Sequence, residues 1–408
     1  MNIQSNESHL VVAPPSGDPL VVDTAGHFET ALDWLSSESG PVAVDTERAS
    51  GFRYRQSAYL VQLRRGDAPA VLVDPVAFDQ SAFDELQSVI GSTEWILHAA
   101  TQDLPSLNEL GLQPERLFDT ELAARLLNLP HVGLGGLLDD LLGIHLKKEH
   151  SAADWSRRPL PGDWLAYAAL DVEYLDVLRT RLIELLDEQC KLSFAHEEFD
   201  AELGFTPKPA PEEPWRKTHG LSSVRTPAQL KIVRELWRER DEIARSRDLS
   251  PHRLIPDRAI IAAATTKVRN SQELLALKDF NGRAAGTQLR HWWAAVQRGR
   301  STDEPISLRA PSTGIPGHRT WPSRHPEAHE RLEALKSAAT AVADEHDLPR
   351  ENLVAPQALR DLAWQLDGPV DAQTVRSALV ASGAREWQIQ LFAPAAVHAL
   401  ESAGQEPN

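Results

Sequence analysis

Thr206-Pro207-Lys208-Pro209-Ala210-Pro211-Glu212-Glu213-Pro214 constrains the fold of this chain more than any other stretch. Proline fixes φ and lacks an N–H, so closely spaced prolines bar both helix and sheet. They leave a semi-rigid, extended spacer. Before this spacer, short β-branched runs alternate with helical patterns; after it, every periodic segment reads helical. A second Pro/Gly/Ser-rich stretch, 301–326, divides the helical part into two blocks of similar size. The chain of 408 residues is therefore expected to hold an α/β domain over 20–205 and helical domains over 215–300 and 327–402. Residues 206–214 and 301–326 are the expected linkers. Residues 1–19, with Pro14, Pro15 and Gly17 and little periodicity, are expected to be disordered.

In the first domain the strand candidates are Val42–Thr46, Tyr59–Leu63, Ala70–Val73, Trp95–Ala99 and Leu117–Asp119. The helix candidates are His27–Ser37, Ser81–Ile90, Asp103–Leu110, Thr120–Asn128 and one long helix, Asp163–Glu188. Such alternation predicts a central sheet flanked by helices. The first strands are joined by short links, so part of the sheet is expected to be antiparallel.

The helical half contains an internal repeat. Arg247-Asp248-Leu249-Ser250-Pro251-His252-Arg253-Leu254-Ile255-Pro256 aligns, with a one-residue gap, on His346-Asp347-Leu348-Pro349-Arg350-Glu351-Asn352-Leu353-Val354-Ala355-Pro356. Each copy sits between helices, Pro227–Ser246 and Asp257–Lys267 in one, Glu327–Glu345 and Gln357–Leu366 in the other. Self-similarity of this kind reports duplicated architecture.

No apolar run approaches the roughly 20 residues of a membrane helix. The polar N-terminus does not read as a secretory signal. Cys190 is the single cysteine, which excludes an intramolecular disulfide framework and a multi-cysteine zinc site. A cytoplasmic protein is expected. The formal net charge of −17 conceals an asymmetry. Residues 1–214 carry 15 Lys/Arg against 36 Asp/Glu, residues 215–300 carry 18 against 8, and residues 301–408 carry 9 against 15. The net +10 of the middle block is an electrostatic footprint for a phosphate backbone.

Three segments of the α/β domain place acids in distinctive positions. Val42-Ala43-Val44-Asp45-Thr46-Glu47 puts two carboxylates one residue apart on an apolar strand, so both point to one face. Like charges that close raise the cost of ionising each other, and a divalent cation between them relieves it. His98-Ala99-Ala100-Thr101-Gln102-Asp103-Leu104 ends a strand and begins a helix. Asp103 there could equally favour the positive end of the helix. Tyr167-Ala168-Ala169-Leu170-Asp171 places Tyr167 and Asp171 at i and i+4 on one helical face.

Together these segments resemble the three exonuclease motifs of the DEDD superfamily in its tyrosine-bearing subclass, and in context the ribonuclease D family. "VAVDTERASGFRYRQSAYLVQL" is similar to the first motif, "ILHAATQDLPSL" to the second and "DWSRRPLPGDWLAYAALDVEYL" to the third. "LFDTELAARLL" from Leu117 also fits. The duplicated helical blocks resemble two helicase-and-RNase-D C-terminal (HRDC) domains. The resemblance spans about residues 20–400. It implies a ribonuclease H-like exonuclease domain with a mixed central sheet followed by two all-α helical bundles.

The resemblance further implies that Asp45, Glu47, Asp103 and Asp171 hold two divalent cations, Mg²⁺ or Mn²⁺. Asp45 would bridge both, Glu47 and Asp171 would serve the ion that activates water, and Asp103 would serve the other. Tyr167 would orient the attacking water. Hard cations favour such all-oxygen ligand sets. The implied activity is 3′–5′ exoribonuclease trimming of structured RNA such as tRNA precursors, with release of nucleoside 5′-monophosphates. No membrane and no obligate protein partner are implied. A DNA 3′–5′ exonuclease of the same superfamily and a non-catalytic RNA-binding protein are the alternatives. Arg48 departs from the family pattern, in which several members carry an aromatic or aliphatic residue after the glutamate. Arg48, Arg53 and Arg55 could contact phosphates or line a solvated loop. His98 and Asp119 are read as structural groups rather than catalytic ones.

Overall fold

A computed structural model of the chain describes residues 9–146, 152–309, 314–365 and 371–403. The first part runs β1 (His9–Val11), β2 (Leu20–Val22), α1 (Ala25–Ser37), β3 (Val42–Arg48), β4 (Ala58–Arg65), β5 (Val71–Val73), α2 (Gln80–Ile90) and β6 (Glu94–Leu97). It continues through α3 (Leu104–Glu109), β7 (Arg116–Asp119), α4 (Thr120–Leu126), α5 (Leu134–Leu142), β8 (Ile144–Leu146), α6 (Gly162–Glu173), α7 (Leu175–Glu188) and α8 (Leu192–Leu203). Six strands form one sheet in the order β2-β5-β4-β3-β6-β7. β4 runs antiparallel to β3 and β5, and the other pairings are parallel. The sheet is therefore mixed, as expected. β3 lies inside it, so Val42, Ala43 and Val44 are buried, as the unbroken apolar run requires of a strand covered on both faces.

Three expectations change. Residues 9–19 are ordered: β1 pairs with β8, and Ser16 donates through its N and Oγ to the buried Glu173 carboxylate at 3.1 and 2.7 Å. A strand of three residues has too little periodicity to be read from sequence. Residues 1–8 lie outside the described part. The long helix Asp163–Glu188 is two helices meeting at Tyr174, whose φ of −113° and ψ of 5° leave the helical region. α6 packs on β3, β4 and β5, while α7 packs on α4, α5 and β6, and one straight rod could not follow both surfaces. Finally, the segment 301–326 is not linker throughout: Trp321 is fully buried, and its Nε1 donates to the Pro316 carbonyl at 2.8 Å.

The first helical block holds α9 (Pro227–Arg247), α10 (Pro251–Leu254), α11 (Asp257–Thr265), α12 (Ser271–Leu275), α13 (Arg283–Thr287) and α14 (Leu289–Ser301). Thr226 and Gln229 cap α9 reciprocally, with Pro227 in its first turn. α9 and α14 pack so closely that a Cβ on Gly299 would lie 2.6 Å from Ile232 Cα, so only glycine fits there. The second block holds α15 (Trp321–Arg324), α16 (Pro326–Glu345), α17 (Arg350–Leu353), α18 (Pro356–Gln365), α19 (Ala372–Ala381) and α20 (Glu386–Ala403). Its apolar core is continuous with that of the α/β domain, whereas the first block encloses a core of its own.

Candidate active site

Strand alternation does what the sequence demanded of Asp45 and Glu47. Carboxylate oxygens of Asp45, Glu47 and Asp171 lie within 4.8 Å of one another, so three acids from β3 and α6 converge. Tyr167, one turn before Asp171, hydrogen-bonds the Asp171 carboxylate. Asp103, His98, Arg48 and Tyr167 line the same pocket. All five residues singled out from the sequence thus face one cleft.

Asp103 stands slightly apart. It begins α3 without capping it, so helix-end stabilisation does not account for its side chain. Oδ1 instead accepts from Thr46 Oγ1 at 2.7 Å and lies 3.3 Å from Arg48 Nη1. Thr46 alternates with Asp45 and Glu47 along β3 and belongs to its other face, and the strand register shifts between Glu47 and Arg48, where the Arg48 side chain reaches Asp103. Arg48 thereby lines the candidate site rather than a solvated loop. Arg53 turns away and donates from Nε to Ser156 Oγ at 2.8 Å.

The electrostatics match a site that needs cations. Burial, reinforced by Asp103, Asp171 and Glu47, pushes the Asp45 carboxyl well above the usual range. Glu47 is pushed up to about 9 by burial and then by Asp171 and Asp103. Asp171 rises to about 7 through burial, offset partly by the Tyr167 hydroxyl. Asp103 rises only to about 6, because Arg48 and Thr46 oppose its burial. Tyr167 is driven upward by burial and by the neighbouring carboxylates, so its hydroxyl keeps its proton. Four oxygen donors that resist ionisation without a partner fit hard divalent cations. Asp45, Glu47 and Asp171 would hold one, and Asp103 lies where it could serve another.

Several residues support the cluster; Gln62 and Glu202 were not singled out from sequence, whereas Asp119 and His98 were read there as structural groups. Gln62 pairs with Asp45 in the β3–β4 register, and its Nε2 donates to Asp45 Oδ2 at 3.2 Å from full burial. Its signal was a polar residue inside the apolar run Tyr59–Leu63. Asp119 accepts four backbone N–H bonds, from Ala99, Ala100, Glu121 and Leu122, at 2.6–3.1 Å. It fixes Ala99 in the left-handed region, with φ 61°, and so aims the turn that delivers Asp103. Glu202 is pushed up to about 9 by burial and by Asp119, so it stays protonated against that carboxylate. His98 faces the pocket as a neutral ring: burial lowers it to about 4, and Nδ1 contacts Thr120 Oγ1 at 2.9 Å. Arg158 grips both oxygens of Asp74 and the carbonyls of Trp155 and Tyr59. This anchors the segment leading into α6, where the buried Trp155 packs 6.4 Å from the Tyr167 ring.

Comparisons with known proteins agree with this geometry. A family model described as 3′–5′ exonuclease matches residues 21–187, the HRDC domain matches 229–296, and a 3′ to 5′ exonuclease C-terminal domain matches 314–400. Ribonuclease D of Gluconacetobacter diazotrophicus is 29% identical over 357 residues, 85% of this chain and 87% of that protein. Ribonuclease D of Pseudomonas paraeruginosa is 27% identical over 391 residues, 93% and 97% of the two chains. Among solved structures, a protein from Bifidobacterium adolescentis superposes with a TM-score of 0.88 at 37% identity, covering 97% of this chain and all of that one. Escherichia coli RNase D superposes with a TM-score of 0.65 at 24% identity, covering 94% and 99%, which shows a shared fold. Among the described residues no helix is long and apolar enough to cross a membrane.

Proposed function

Because the chain belongs to the ribonuclease D family of 3′–5′ exoribonucleases, we propose that it trims the 3′ ends of structured RNA, tRNA precursors among them, by metal-dependent hydrolysis. The observation that carries this reading is the convergence of Asp45, Glu47 and Asp171 within 4.8 Å, with Asp103 and Tyr167 lining the same pocket. Two divalent cations bound there would make water a stronger nucleophile, neutralise the scissile phosphate and stabilise the leaving 3′ oxygen.

The chain's own groups prepare that chemistry. Asp45 has its support in Gln62, its cross-strand partner, whose amide donates to the carboxylate and holds it in the cluster. Glu47 and Asp171 sit close enough to share an ion, and each must surrender any proton it holds when the ion arrives. The Tyr167 hydroxyl remains protonated, so it orients and polarises the attacking water rather than removing its proton. The exposed Lys267, Arg269, Lys278 and Arg283 of the first helical block make no ion pair among the described residues and are available to RNA phosphates. Backbone and shape contacts of this kind suit structured RNA.

A tRNA precursor labelled separately at its 5′ and 3′ ends tests the reading. With Mn²⁺, the 3′ label is expected to leave first, as a nucleoside 5′-monophosphate, while the 5′-labelled strand shortens stepwise. Asp45→Asn is expected to lower cleavage by at least about 10³-fold, roughly 4 kcal/mol of transition-state stabilisation, while RNA binding persists. Intact precursor in the presence of bound enzyme and Mn²⁺ would refute the proposal, and faster loss of a matched DNA end would redirect it to DNA.

A further inference from the structure

Among the described residues that line the pocket, Arg48 is the one side chain with a permanent positive charge, and it is attached to the acid that stands apart. Its Nη1 lies 3.3 Å from Asp103 Oδ1 and also donates to the Gln102 carbonyl. Asp103 Oδ1 accepts from Thr46 Oγ1 as well, so that oxygen is already engaged by a neutral donor and a cationic one. The other three acids have no guanidinium or ammonium within ion-pair distance among the described residues, and they converge on one another instead. Thr46 lies on the strand face opposite Asp45 and Glu47, and the register shift between Glu47 and Arg48 accompanies the turn of the Arg48 guanidinium toward Asp103. The Arg48 side chain is partly open to the pocket, at 23% exposure against 7% for Asp103, so it has room to swing away.

We infer that Arg48 is the resident counter-cation of Asp103 and competes with a divalent ion for that carboxylate. A guanidinium in contact with a carboxylate neutralises it and repels a second cation directed at the same oxygens. The two halves of the site are therefore unequal. The Asp45–Glu47–Asp171 half has no cation in contact among the described residues, only the more distant charge of Arg48 acting on Glu47, and takes an ion more readily. The Asp103 half takes one only as Arg48 gives way. The released guanidinium remains inside a pocket that receives an anionic substrate, and its planar fork suits phosphate oxygens. This inference rests on the metal-dependent reading of the site given above.

Mn²⁺ binding to the full-length, EDTA-stripped protein tests it without reference to cleavage. Titrations followed by calorimetry and by the loss of the free-Mn²⁺ paramagnetic resonance signal would compare wild type, Arg48→Ala, Arg48→Lys, Asp103→Asn and Asp45→Asn. Wild type is expected to bind one ion tightly and a second weakly. Arg48→Ala should tighten the weak step by about tenfold or more and change the tight step far less, a factor in keeping with loss of one close charge. Arg48→Lys should fall between the two. Asp103→Asn should remove the weak step whether or not Arg48 is present. A weak step that is unchanged or weaker in Arg48→Ala overturns the competition. Absence of any Mn²⁺ binding by wild type, with Asp45→Asn indistinguishable from it, would instead remove the metal reading beneath the proposal. Thermal melts of each variant establish that the folded state is retained, and Arg48→Met repeats the test with the aliphatic stem kept.

Discussion

Asp248 and Asp347 occupy the same left-handed position in the duplicated turn, each with φ 49°, yet they meet the nuclease domain in different company. Asp248 accepts from the Arg55 N–H at 3.0 Å and from the Tyr59 hydroxyl at 3.4 Å. Around it the Tyr54 hydroxyl donates to Asp241, Ser250 N–H donates to the Phe52 carbonyl, and Arg253 lies 4.0 Å over the Phe52 ring. The first helical block thus grips the loop after the catalytic strand largely through polar contacts and keeps its own core. Asp347 accepts from Asn128 Nδ2 at 2.7 Å, and its carbonyl takes Lys191 Nζ at 2.8 Å. Beside it the second block is fused in: Trp387 stacks 4.7 Å from Phe194, donates to Glu198, and belongs to an apolar core shared with the sheet. One turn has been used twice, once as a polar latch and once as the edge of a common core. Apolar continuity makes two units stand or fall together, whereas polar docking lets one yield while the other holds.

The sharpest way to break this comparison is to empty the shared core. Trp387→Ala is expected to cost about 3–5 kcal/mol and to destabilise nuclease and second helical block in one transition, measured by denaturant unfolding. Loss of the second block alone, with the nuclease transition unmoved, would show the core to be divided.

Changing the pH should separate the two bodies. Glu47 and Glu202 titrate near 9 in the folded protein and Asp171 near 7, all above ordinary carboxylate values. The folded state therefore holds more protons than the unfolded chain from about pH 4 upward, and stability declines as pH rises toward 9. In EDTA, the calorimetric transition of the nuclease body should move down in temperature from about pH 5 to pH 9, while that of the first helical block stays. Mn²⁺ should restore the nuclease transition, most strongly at high pH, because binding replaces the protons. An EDTA transition that rises with pH would contradict the sign.

The basic character of the first block predicts a smaller effect, on RNA alone. Reversing Lys267, Arg269, Lys278 and Arg283 to Glu should weaken structured-RNA binding by about tenfold or more at moderate salt and flatten the dependence on salt concentration. Equal loss from reversing Arg350 and Arg360 of the second block would erase the distinction. The smallest effect belongs to the latch itself. Asp248→Gly keeps the left-handed backbone at no steric cost and removes only the side-chain bonds to Arg55 and Tyr59. It should cost about 1 kcal/mol in stability, and hydrogen exchange should quicken in residues 49–57 without spreading to β3.

Much of the candidate site was legible because its acids follow local patterns. Asp45 and Glu47 alternate on a strand, and Tyr167 and Asp171 recur on a helix, so elementary periodicity predicts their shared faces. The break between α6 and α7 at Tyr174 was not legible, since nothing between Asp163 and Glu188 interrupts helical periodicity. Gln62 and Thr46 escaped for a related reason. Each acts through a partner distant in the chain, as Thr46 does on Asp103, 57 residues away. His98 reads as a strand-end residue from sequence and faces the pocket only once β6 is placed beside β3.

The sequence by itself determined the order of domains, the mixed sheet, the duplicated turn and which acids share a strand or helix face, because proline content, periodicity and charge act over a few residues; their convergence was implied only by the family resemblance. Tertiary structure alone decided that the two repeats attach so differently and that Arg48 faces Asp103. Those outcomes depend on which surfaces meet across long stretches of chain, and the free energy of such contacts is written in no single segment.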